Sequence, residues 1–284
     1  MVKTVAYFPL QCALNSVPVM GAVLSSLQSA GISTQENSMT SDCAVIWSVL
    51  WAGRLAPNRA VYEHYRAEGR PVIIIEIGAL HRGHTWKVCV NNVTAAGYYG
   101  HTTNLDWDRP RKLGISLSAP TRTQSHVVVA LQHAHSLQVA DLSSMTQWVV
   151  DTVHQVRQHT DRKIIVRPHP RSRILLPHLP PDVEISTPRK LANTYDSFDF
   201  DTRCHAVINY NSGPGIQAAI AGTRPAVNAS SLAAPVGISL SNIEQPYNLD
   251  RSQWLTEIAH TEYTLEELQQ GLWLKRIAQE LQAL

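Results

Sequence analysis

The chain has 284 residues, of which 44% are hydrophobic and 16% charged, and its formal net charge is +2. These values are typical of a soluble globular protein with one large domain or two modest ones. No apolar run reaches the length of a membrane-spanning helix, and the N-terminus does not resemble a signal peptide. We therefore expect a cytoplasmic protein without a membrane partner.

The charge is distributed unevenly. Residues 1–120 carry ten Lys/Arg against seven Asp/Glu, whereas residues 121–284 carry fourteen against fifteen. This mild asymmetry permits a polyanionic partner on the first half, although a dedicated nucleic-acid-binding domain is usually more basic. The four cysteines are widely spaced and form no CxxC pair, so we expect reduced, buried thiols rather than disulfides or a zinc site.

Two kinds of segment alternate through the first half of the chain. Apolar runs rich in β-branched residues predict strands at 3–9, 43–51 and 71–78. Segments with helical periodicity predict helices at 18–31 and 58–69. Residues 79–114 are less regular, and 117–125 has the composition of a linker.

The alternation restarts after the linker. Strands are predicted at 126–132, 163–170, 183–187, 205–213 and 225–230. Helices are predicted at 143–160, 213–223 and 250–284. Such alternation predicts an α/β protein with parallel sheets. We predict two Rossmann-like domains facing a cleft, at 1–120 and 121–250, followed by a helical segment at 251–284.

The sequence NYNSGPG places Asn211, Ser212 and Gly213 between a predicted strand and a helix. The backbone N–H groups at a helix N-terminus, together with the helix dipole, favour a phosphate. Gly213 and Gly215 would let a ligand approach the backbone closely. The alternative is that Ser212 only caps the helix.

The sequence RPHPRSR places a histidine between two prolines, which make the segment stiff and extended. Arg167, His169, Arg171 and Arg173 are the anion-binding candidates, because arginine suits bidentate contact with phosphate. The alternative is a solvated loop. Two such strand ends in one half of the chain favour a diphosphate ligand.

Glu244 follows this region, and a carboxylate after a Rossmann-like strand often binds ribose hydroxyls. The phosphate-binding patterns GxxxxGK[ST] and GxGxxG are both absent from the sequence. Their absence disfavours an ATPase and a dehydrogenase. Together the three segments predict a nucleotide-diphosphate site.

Glu76 ends an apolar strand in the first half, where burial would raise its pKa and let it act as a general base. The alternatives are a structural pairing with Arg54 or Arg82, or Asp106 or Asp108 as the base. The DxD patterns at 106–108 and 199–201, and the paired histidines at 81 and 84 and at 133 and 135, are weak metal-binding signals. We predict no obligatory metal.

RPHP at one strand end and NSG at the start of a helix, in a two-domain α/β chain, resemble the GT-B glycosyltransferases over roughly residues 126–250. Capsule and teichoic-type nucleotide-sugar transferases are the nearest resemblance. It implies a nucleotide-sugar donor, such as a UDP-sugar, bound in the second domain. The donor would be held by Arg167, His169, Arg171, Asn211, Ser212, Gly213 and Glu244.

Residues 47–88 and 243–255 also resemble bacteriophage-encoded proteins that glycosylate hydroxymethylated DNA bases. This implies 5-hydroxymethylcytosine in duplex DNA as the acceptor, Glu76 and His169 as catalytic residues, and a location in the host cytoplasm. The residues expected to contact DNA are Arg54, Arg82, Lys87, Arg109 and Arg111, with Arg59 and Lys112 as further basic residues.

Two other functions fit the same residues. One is a glycosyl- or glycerophosphotransferase acting on a surface polysaccharide, which the modest positive charge suits. The other is a non-catalytic nucleotide- or nucleic-acid-binding protein. The basic residues would then be a solvated surface.

Overall fold

The computed structural model describes residues 2–120, 124–172, 174–176, 179–188 and 203–283. The chain divides into two compact units. Unit 1 comprises Met1–Arg109 and Glu257–Leu284, and unit 2 comprises Pro110–Thr256. The first boundary therefore precedes the predicted one at residue 120. The predicted separate C-terminal segment joins unit 1 instead.

Unit 1 contains a six-stranded sheet. Its strands are β1 (Thr4–Tyr7), β2 (Ser33–Glu36), β3 (Cys43–Trp47), β4 (Val72–Ile77), β5 (Thr85–Val90) and β11 (Glu262–Thr264). Their order is β11-β5-β4-β3-β1-β2. The four strands from β4 to β2 are parallel, whereas β5 and β11 are antiparallel to their neighbours. Central β3 is buried along its whole length, as expected for a strand covered on both faces.

The helices of unit 1 are α1 (Val17–Ser29), α2 (Asn58–Ala67), α7 (Leu265–Gln269) and α8 (Leu272–Ala283). The short helix α3 (Arg109–Lys112) begins at the last residue of this part of unit 1 and continues into unit 2. The C-terminal residues join this unit through buried polar contacts. Trp273 of α8 donates a hydrogen bond to Ser26 of α1 at 3.0 Å. The fully buried Glu262 accepts hydrogen bonds from the backbone N–H groups of Ala79 and Leu80 at 2.7 and 3.1 Å.

Unit 2 contains a fully parallel five-stranded sheet. Its strands are β6 (His126–Ala130), β7 (Lys163–Arg167), β8 (Val183–Ile185), β9 (Ala206–Asn209) and β10 (Arg224–Val227). Their order is β10-β9-β6-β7-β8. Numbered from β6, this is the 3-2-1-4-5 order of a Rossmann fold, and its topological switch point lies between β6 and β9.

The helices of unit 2 cover both faces of this sheet. They are α4 (Met145–Arg157) and α5 (Gly213–Ile220), and α6 (Ser252–Ala259) leads back into unit 1. Val149 and Val153 of α4 pack with Val127 and Val129 in one buried cluster. Ala218 of α5 belongs to a second cluster. The protein is therefore α/β with two Rossmann-like units, as predicted.

Two further predictions can be compared with the described residues. All four cysteines are buried and reduced, as expected. Among the described residues, no helix combines the length and the hydropathy needed to span a bilayer.

Candidate functional site

Two strands of unit 2, β7 and β9, end in the polar segments that the sequence singled out, and β6 lies between them. The sheet register places Ala130 of β6 beside Arg167 of β7 on one side and Asn209 of β9 on the other. RPHP and NSG therefore lie at the same edge of the sheet and close to the switch point. We call this edge, with the loops that follow β6, β7 and β9, the carboxyl edge of unit 2. In doubly wound folds, ligands bind at this position.

Asn209 shapes the turn from β9 into α5. Its Nδ2 donates to the carbonyl of Ala130 at 3.1 Å and to Ser212 Oγ at 2.9 Å, and its Oδ1 accepts from Ser212 N at 2.9 Å. Ser212 occupies the N-cap position, but its side chain makes no capping hydrogen bond to this helix, all of whose residues are described. The simple capping alternative is thus not the role of the hydroxyl. In the first turn of α5, Pro214 has no N–H and the N–H of Gly215 donates to the Ser212 carbonyl at 3.2 Å, so the Gly213 N–H and the helix dipole are what this end offers an anion.

Asn211 and Gln132 form a buried amide pair across the switch point. Gln132 Nε2 donates to Asn211 Oδ1 at 2.9 Å, and Asn211 N donates to Gln132 Oε1 at 3.1 Å. Asn211 Nδ2 donates further to the carbonyl of Gln138 at 2.7 Å and to Ser230 Oγ at 2.9 Å. The Asn211 amide is engaged within the protein. Asn211 therefore fixes the loops around the site, rather than contacting the donor as predicted.

Three histidines meet at the carboxyl edge. The ring of His169 packs edge-on against His133, with centroids 5.4 Å apart, and His133 lies 5.7 Å from His135. Nδ1 of His169 accepts a hydrogen bond from the N–H of Arg171 at 3.1 Å. Nδ1 of His133 accepts one from the N–H of His135 at 3.2 Å. In the neutral form each ring therefore carries its proton on Nε2, which makes that atom a donor.

The ionisation of His133 follows from its surroundings. Burial lowers its pKa and the neighbouring His135 adds to that effect, while a backbone contact with Arg171 opposes it. The loops after β6 and β7 are also tied together, because Ala134 N donates to Ser172 Oγ at 3.2 Å. The neutral His133 ring packs against His169, and the hydrogen bond from Ala134 to Ser172 joins the two loops. Both contacts fix the segment that carries His169.

The arginines of RPHPRSR differ in exposure. Arg167 is buried, and its guanidinium donates to the carbonyl of Pro168 at 3.4 Å. Arg171 is exposed, and Arg173 lies outside the described residues. Gly213 is the first residue of α5. Gly215, in contrast, serves packing, since a Cβ there would lie 2.8 Å from Val227 Cγ1.

Glu244 lies at the opposite edge of the same sheet. Its carboxylate accepts from Arg162 Nε and Nη2 at 2.9 and 2.7 Å, and from the hydroxyl of Thr160. Arg162 directly precedes β7, so this is the end where the parallel strands begin. The arginine hydrogen bonds lower the pKa of Glu244 against an opposing effect of burial. The predicted donor role of Glu244 does not fit this position, and we leave it out of the site.

The amino edge of unit 2 also carries an open depression of about 450 Å³. It is lined by Ser125, His159, Thr160, Asp161, Arg162 and Glu244. Its central charges are already paired with each other. We therefore place the candidate site at the carboxyl edge, where a Rossmann fold binds its ligands.

Glu76 lies at the end of β4 in unit 1 and is half-buried. Ser48 Oγ donates to its Oε2 at 2.7 Å, and the N–H of Ile77 donates to its Oε1 at 2.9 Å. The partner of the carboxylate is thus a serine that the sequence analysis did not single out. Glu76 is presented at the carboxyl end of a parallel strand, which suits a functional carboxylate.

The basic residues expected to contact DNA occupy different environments. Arg54, Arg59, Arg111 and Lys112 are exposed, and Arg82 is half-buried. Lys87 is buried in β5, directly opposite Glu76. Arg109 is also buried. Neither buried side chain is available to bind DNA phosphates, which corrects the prediction for both.

Arg109 is a structural residue of unit 1. It binds both carboxylate oxygens of Glu267, at 2.7 and 3.0 Å, and the carbonyls of Ala259 and Glu262 at 2.7 and 2.5 Å. Burial raises the pKa of Glu267, but the hydrogen bonds from Arg109 and the Thr264 N–H, with the positive charge of Arg109, together outweigh burial and lower it. These contacts attach the C-terminal residues to the unit.

The weak metal signals find no support in the described part of the chain. There, no group of three or more His, Cys, Asp or Glu side chains could hold a metal ion. Asp106 Oδ1 accepts from the N–H of Asp108 at 3.0 Å in a local turn. The second DxD pattern, at 199–201, lies outside the described residues.

No protein-family model and no curated protein matches the chain. Among solved structures, the "KpsC, beta Kdo 2,4 transferase" of Thermosulfurimonas dismutans is similar, with a TM-score of 0.48 and 11% identity over 93% of this chain and 92% of that one. The "KpsC, beta Kdo 2,7 transferase" of the same organism has a TM-score of 0.47 and 13% identity over 96% and 99%.

Anabaena Alr3699/HepE "in complex with UDP-glucose" has a TM-score of 0.32 and 10% identity over 99% of this chain and 100% of that one. At these TM-scores the similarities carry no argument about what the present chain does.

The sequence analysis missed three residues that shape these sites. Gln132 and His133 directly follow an apolar run, and Ser48 continues another. A polar residue right after a buried strand was the available signal. Their partners, however, are distant in sequence: Asn211 lies 79 positions from Gln132, and Glu76 lies 28 from Ser48.

Proposed function

We propose that the protein is a glycosyltransferase. Unit 2 binds the diphosphate of a nucleotide sugar, with a UDP-sugar as the first candidate, and unit 1 binds the hydroxyl that receives the sugar. One observation carries the proposal. The buried Arg167, the His169 Nε2 donor and the start of α5 converge at the Rossmann switch point of unit 2. Such a group of donors and positive charge suits a diphosphate.

These groups also suit the chemistry of glycosyl transfer. The acceptor oxygen bonds to the anomeric carbon, the bond from that carbon to the phosphate oxygen breaks, and its electron pair leaves with the nucleotide diphosphate. Donors aimed at the leaving phosphate stabilise the charge that develops there. His169 and Arg167 take this role in unit 2. Glu76 takes the acceptor's proton as general base. We propose no obligatory metal.

The exposed basic residues bear on which acceptor the protein uses. A 5-hydroxymethylcytosine in duplex DNA would have to be flipped out of the stack, and the protein would need several phosphate contacts. Arg54, Arg82 and Arg111 remain for that purpose, with Arg59 and Lys112 as further basic residues, because Lys87 and Arg109 are buried. This reduced basic surface favours the second candidate, a saccharide hydroxyl of a surface polysaccharide. The DNA acceptor stays in the test as the competing outcome.

The test combines a donor panel with three acceptors. The protein is incubated with UDP-, GDP- and CMP-linked sugars and with hydroxymethylated DNA, unmodified DNA or an oligosaccharide. The digested products are then analysed by mass spectrometry. We expect a glycosyl mass increase on one acceptor class with one donor class. Nucleotide binding without product formation from any donor would favour a non-catalytic binding protein. Absence of nucleotide binding would overturn the proposed donor site.

Glu76→Gln separates an enzyme from a binding protein. The substitution keeps the side-chain shape but removes the base, so we expect turnover to fall about 100-fold or more while donor affinity is unchanged. The matched control is Glu63→Gln, because Glu63 is an exposed carboxylate of the same unit that pairs with Arg59. Full turnover by Glu76→Gln would remove the assignment of Glu76 as the base.

A further inference from the structure

Ser48 has an unusual backbone conformation. Four non-glycine residues in the described part of the chain have positive φ, and the other three are asparagines, Asn37, Asn91 and Asn104. Asparagine tolerates this region, whereas serine adopts it at a cost in free energy. Ser48 nevertheless has φ of 65° and is only 5% exposed. Such conformations persist where the surroundings fix them, and they are concentrated at functional sites.

The conformation lets Ser48 bond in two directions. Its backbone N–H donates to the carbonyl of Ile75 at 2.8 Å and so extends the pairing of β3 with β4. Its Oγ accepts from the N–H of Leu50 at 3.2 Å, which directs the hydroxyl proton to Glu76 Oε2 at 2.7 Å. The N–H of Ile77 binds the other carboxylate oxygen. With one donor on each oxygen, the plane of the carboxylate is fixed, and each oxygen retains a lone pair.

The pair also lies where the topology of unit 1 favours a ligand. The parallel strands run in the order β4-β3-β1-β2, so the chain reverses direction across the sheet between β1 and β3. Ser48 directly follows β3 at its carboxyl end. Ligands of such sheets bind beyond the strand ends at that point. A serine whose only role was to close a turn could follow any strand, whereas Ser48 follows the strand beside the switch point.

From these observations we infer that Ser48 is a positioning residue, which holds the Glu76 carboxylate in the orientation that a general base needs. The inference rests on the proposed function, because it assumes that Glu76 accepts the proton of the acceptor hydroxyl. Without the hydroxyl, Oε2 loses its donor and the plane of the carboxylate is no longer fixed.

Lys87 of β5 pairs directly with Glu76 across the sheet and lies on the same side of it. The two donors that fix the carboxylate are nevertheless the Ser48 hydroxyl and the Ile77 N–H.

Three variants test the inference against a purely structural role. Ser48→Ala removes the hydroxyl, Ser48→Gly removes it while relieving the positive φ, and Ser48→Asn keeps a donor on a residue that tolerates this φ. We expect Ala and Gly to lower kcat about tenfold at unchanged donor KM. Asn should restore most of the lost kcat. Ser25→Ala, on the exposed face of α1, is the control.

Ser48→Gly decides the test even if Ser48→Ala folds poorly. Wild-type kcat in Ser48→Gly would overturn the positioning role. A donor KM that rises in step with the loss of kcat, or no recovery of kcat in Ser48→Asn, would also overturn it. The proposed function fails separately, by full turnover of Glu76→Gln or by the absence of any transferase product.

Discussion

The two edges of the sheet in unit 2 hold similar side chains in different ways. At the amino edge, Glu244 is bound by Arg162 and Thr160, and His205 is bonded to a backbone carbonyl. At the carboxyl edge, His133 and His169 are oriented by backbone N–H groups. The amino edge has paired its charges, so its contacts stabilise the fold. The carboxyl edge instead brings Arg167, His133 and His169 together beside the switch point, a group that suits an anionic ligand.

Because of this difference, a surface depression in unit 2 does not by itself identify a ligand site. The depression of about 450 Å³ lies at the amino edge, where arginine and carboxylate neutralise each other. The carboxyl edge is defined by topology instead, since the switch point brings the ends of β6, β7 and β9 together. The two edges can be separated experimentally by substitutions that affect either stability or donor binding.

The largest effect is expected at the amide pair of the carboxyl edge. Asn211→Ala leaves the buried Gln132 amide without its partner, so the free energy of unfolding should fall by about 2–3 kcal/mol. Donor affinity should fall as well, because the loops lose their anchor. Urea denaturation and calorimetric titration with UDP measure the two effects. Asn248→Ala, at an exposed position of the same unit, is the control.

His169→Ala should affect binding and leave stability nearly unchanged. Loss of the Nε2 donor to a charged phosphate should weaken UDP binding about tenfold, equivalent to about 1.4 kcal/mol. The half-exposed ring contributes little to the core. His154→Ala, an exposed histidine on α4, should bind UDP like the wild type. Equal affinity in both variants would remove His169 from the donor site.

Glu244→Gln should show the opposite behaviour. We expect the free energy of unfolding to fall by about 0.5–1 kcal/mol, because the Glu244 side chain is 40% exposed and water screens its pair with Arg162. Donor affinity should be unchanged. The pKa of Glu244 is lowered in the folded protein. Its contribution is therefore complete above the ordinary pKa of about 4.3 and is lost as the pH falls through the depressed value.

Unfolding curves of Glu244→Gln and wild type should consequently converge in strong acid. Glu184→Gln, which breaks the more exposed pair with Lys163, is the matched control and should cost less. Weaker UDP binding by Glu244→Gln would contradict the assignment of this edge to stability.

The smallest effect is expected for Ser212→Ala. The hydroxyl accepts from Asn209 and does not cap α5, so the Gly213 N–H and the helix dipole remain in Ser212→Ala. Donor affinity should fall only about two- to threefold. A loss of more than tenfold would mean that the hydroxyl itself contacts the phosphates.

Much of this fold could be predicted from the sequence, because its central strands are buried on both faces and form continuous apolar runs, as in β3 and β4. The polar edge strand β2 gave no such signal, since its four residues STQE are half-buried or exposed. The strands β5 and β11 were also missed. They depend on each other and on the buried Glu262, contacts that join residues far apart in sequence.

The site could be predicted only in part. RPHP and NSG were expected to lie together, because strand ends of a parallel sheet meet at one edge. Glu244 was misplaced because the sequence does not show at which edge a loop returns. Only its contacts with Arg162 and Thr160 show that it lies at the amino edge. The role of Asn211 was likewise hidden by a partner as distant as Gln132.

The central claim is that the carboxyl edge of unit 2 binds a nucleotide diphosphate. The most direct test is a structure of the full chain with UDP bound. We predict the phosphates at the first turn of α5, within hydrogen-bonding distance of His169 Nε2 and close to Arg167. UDP bound instead in the depression at the amino edge, against Arg162 and Glu244, would contradict the claim.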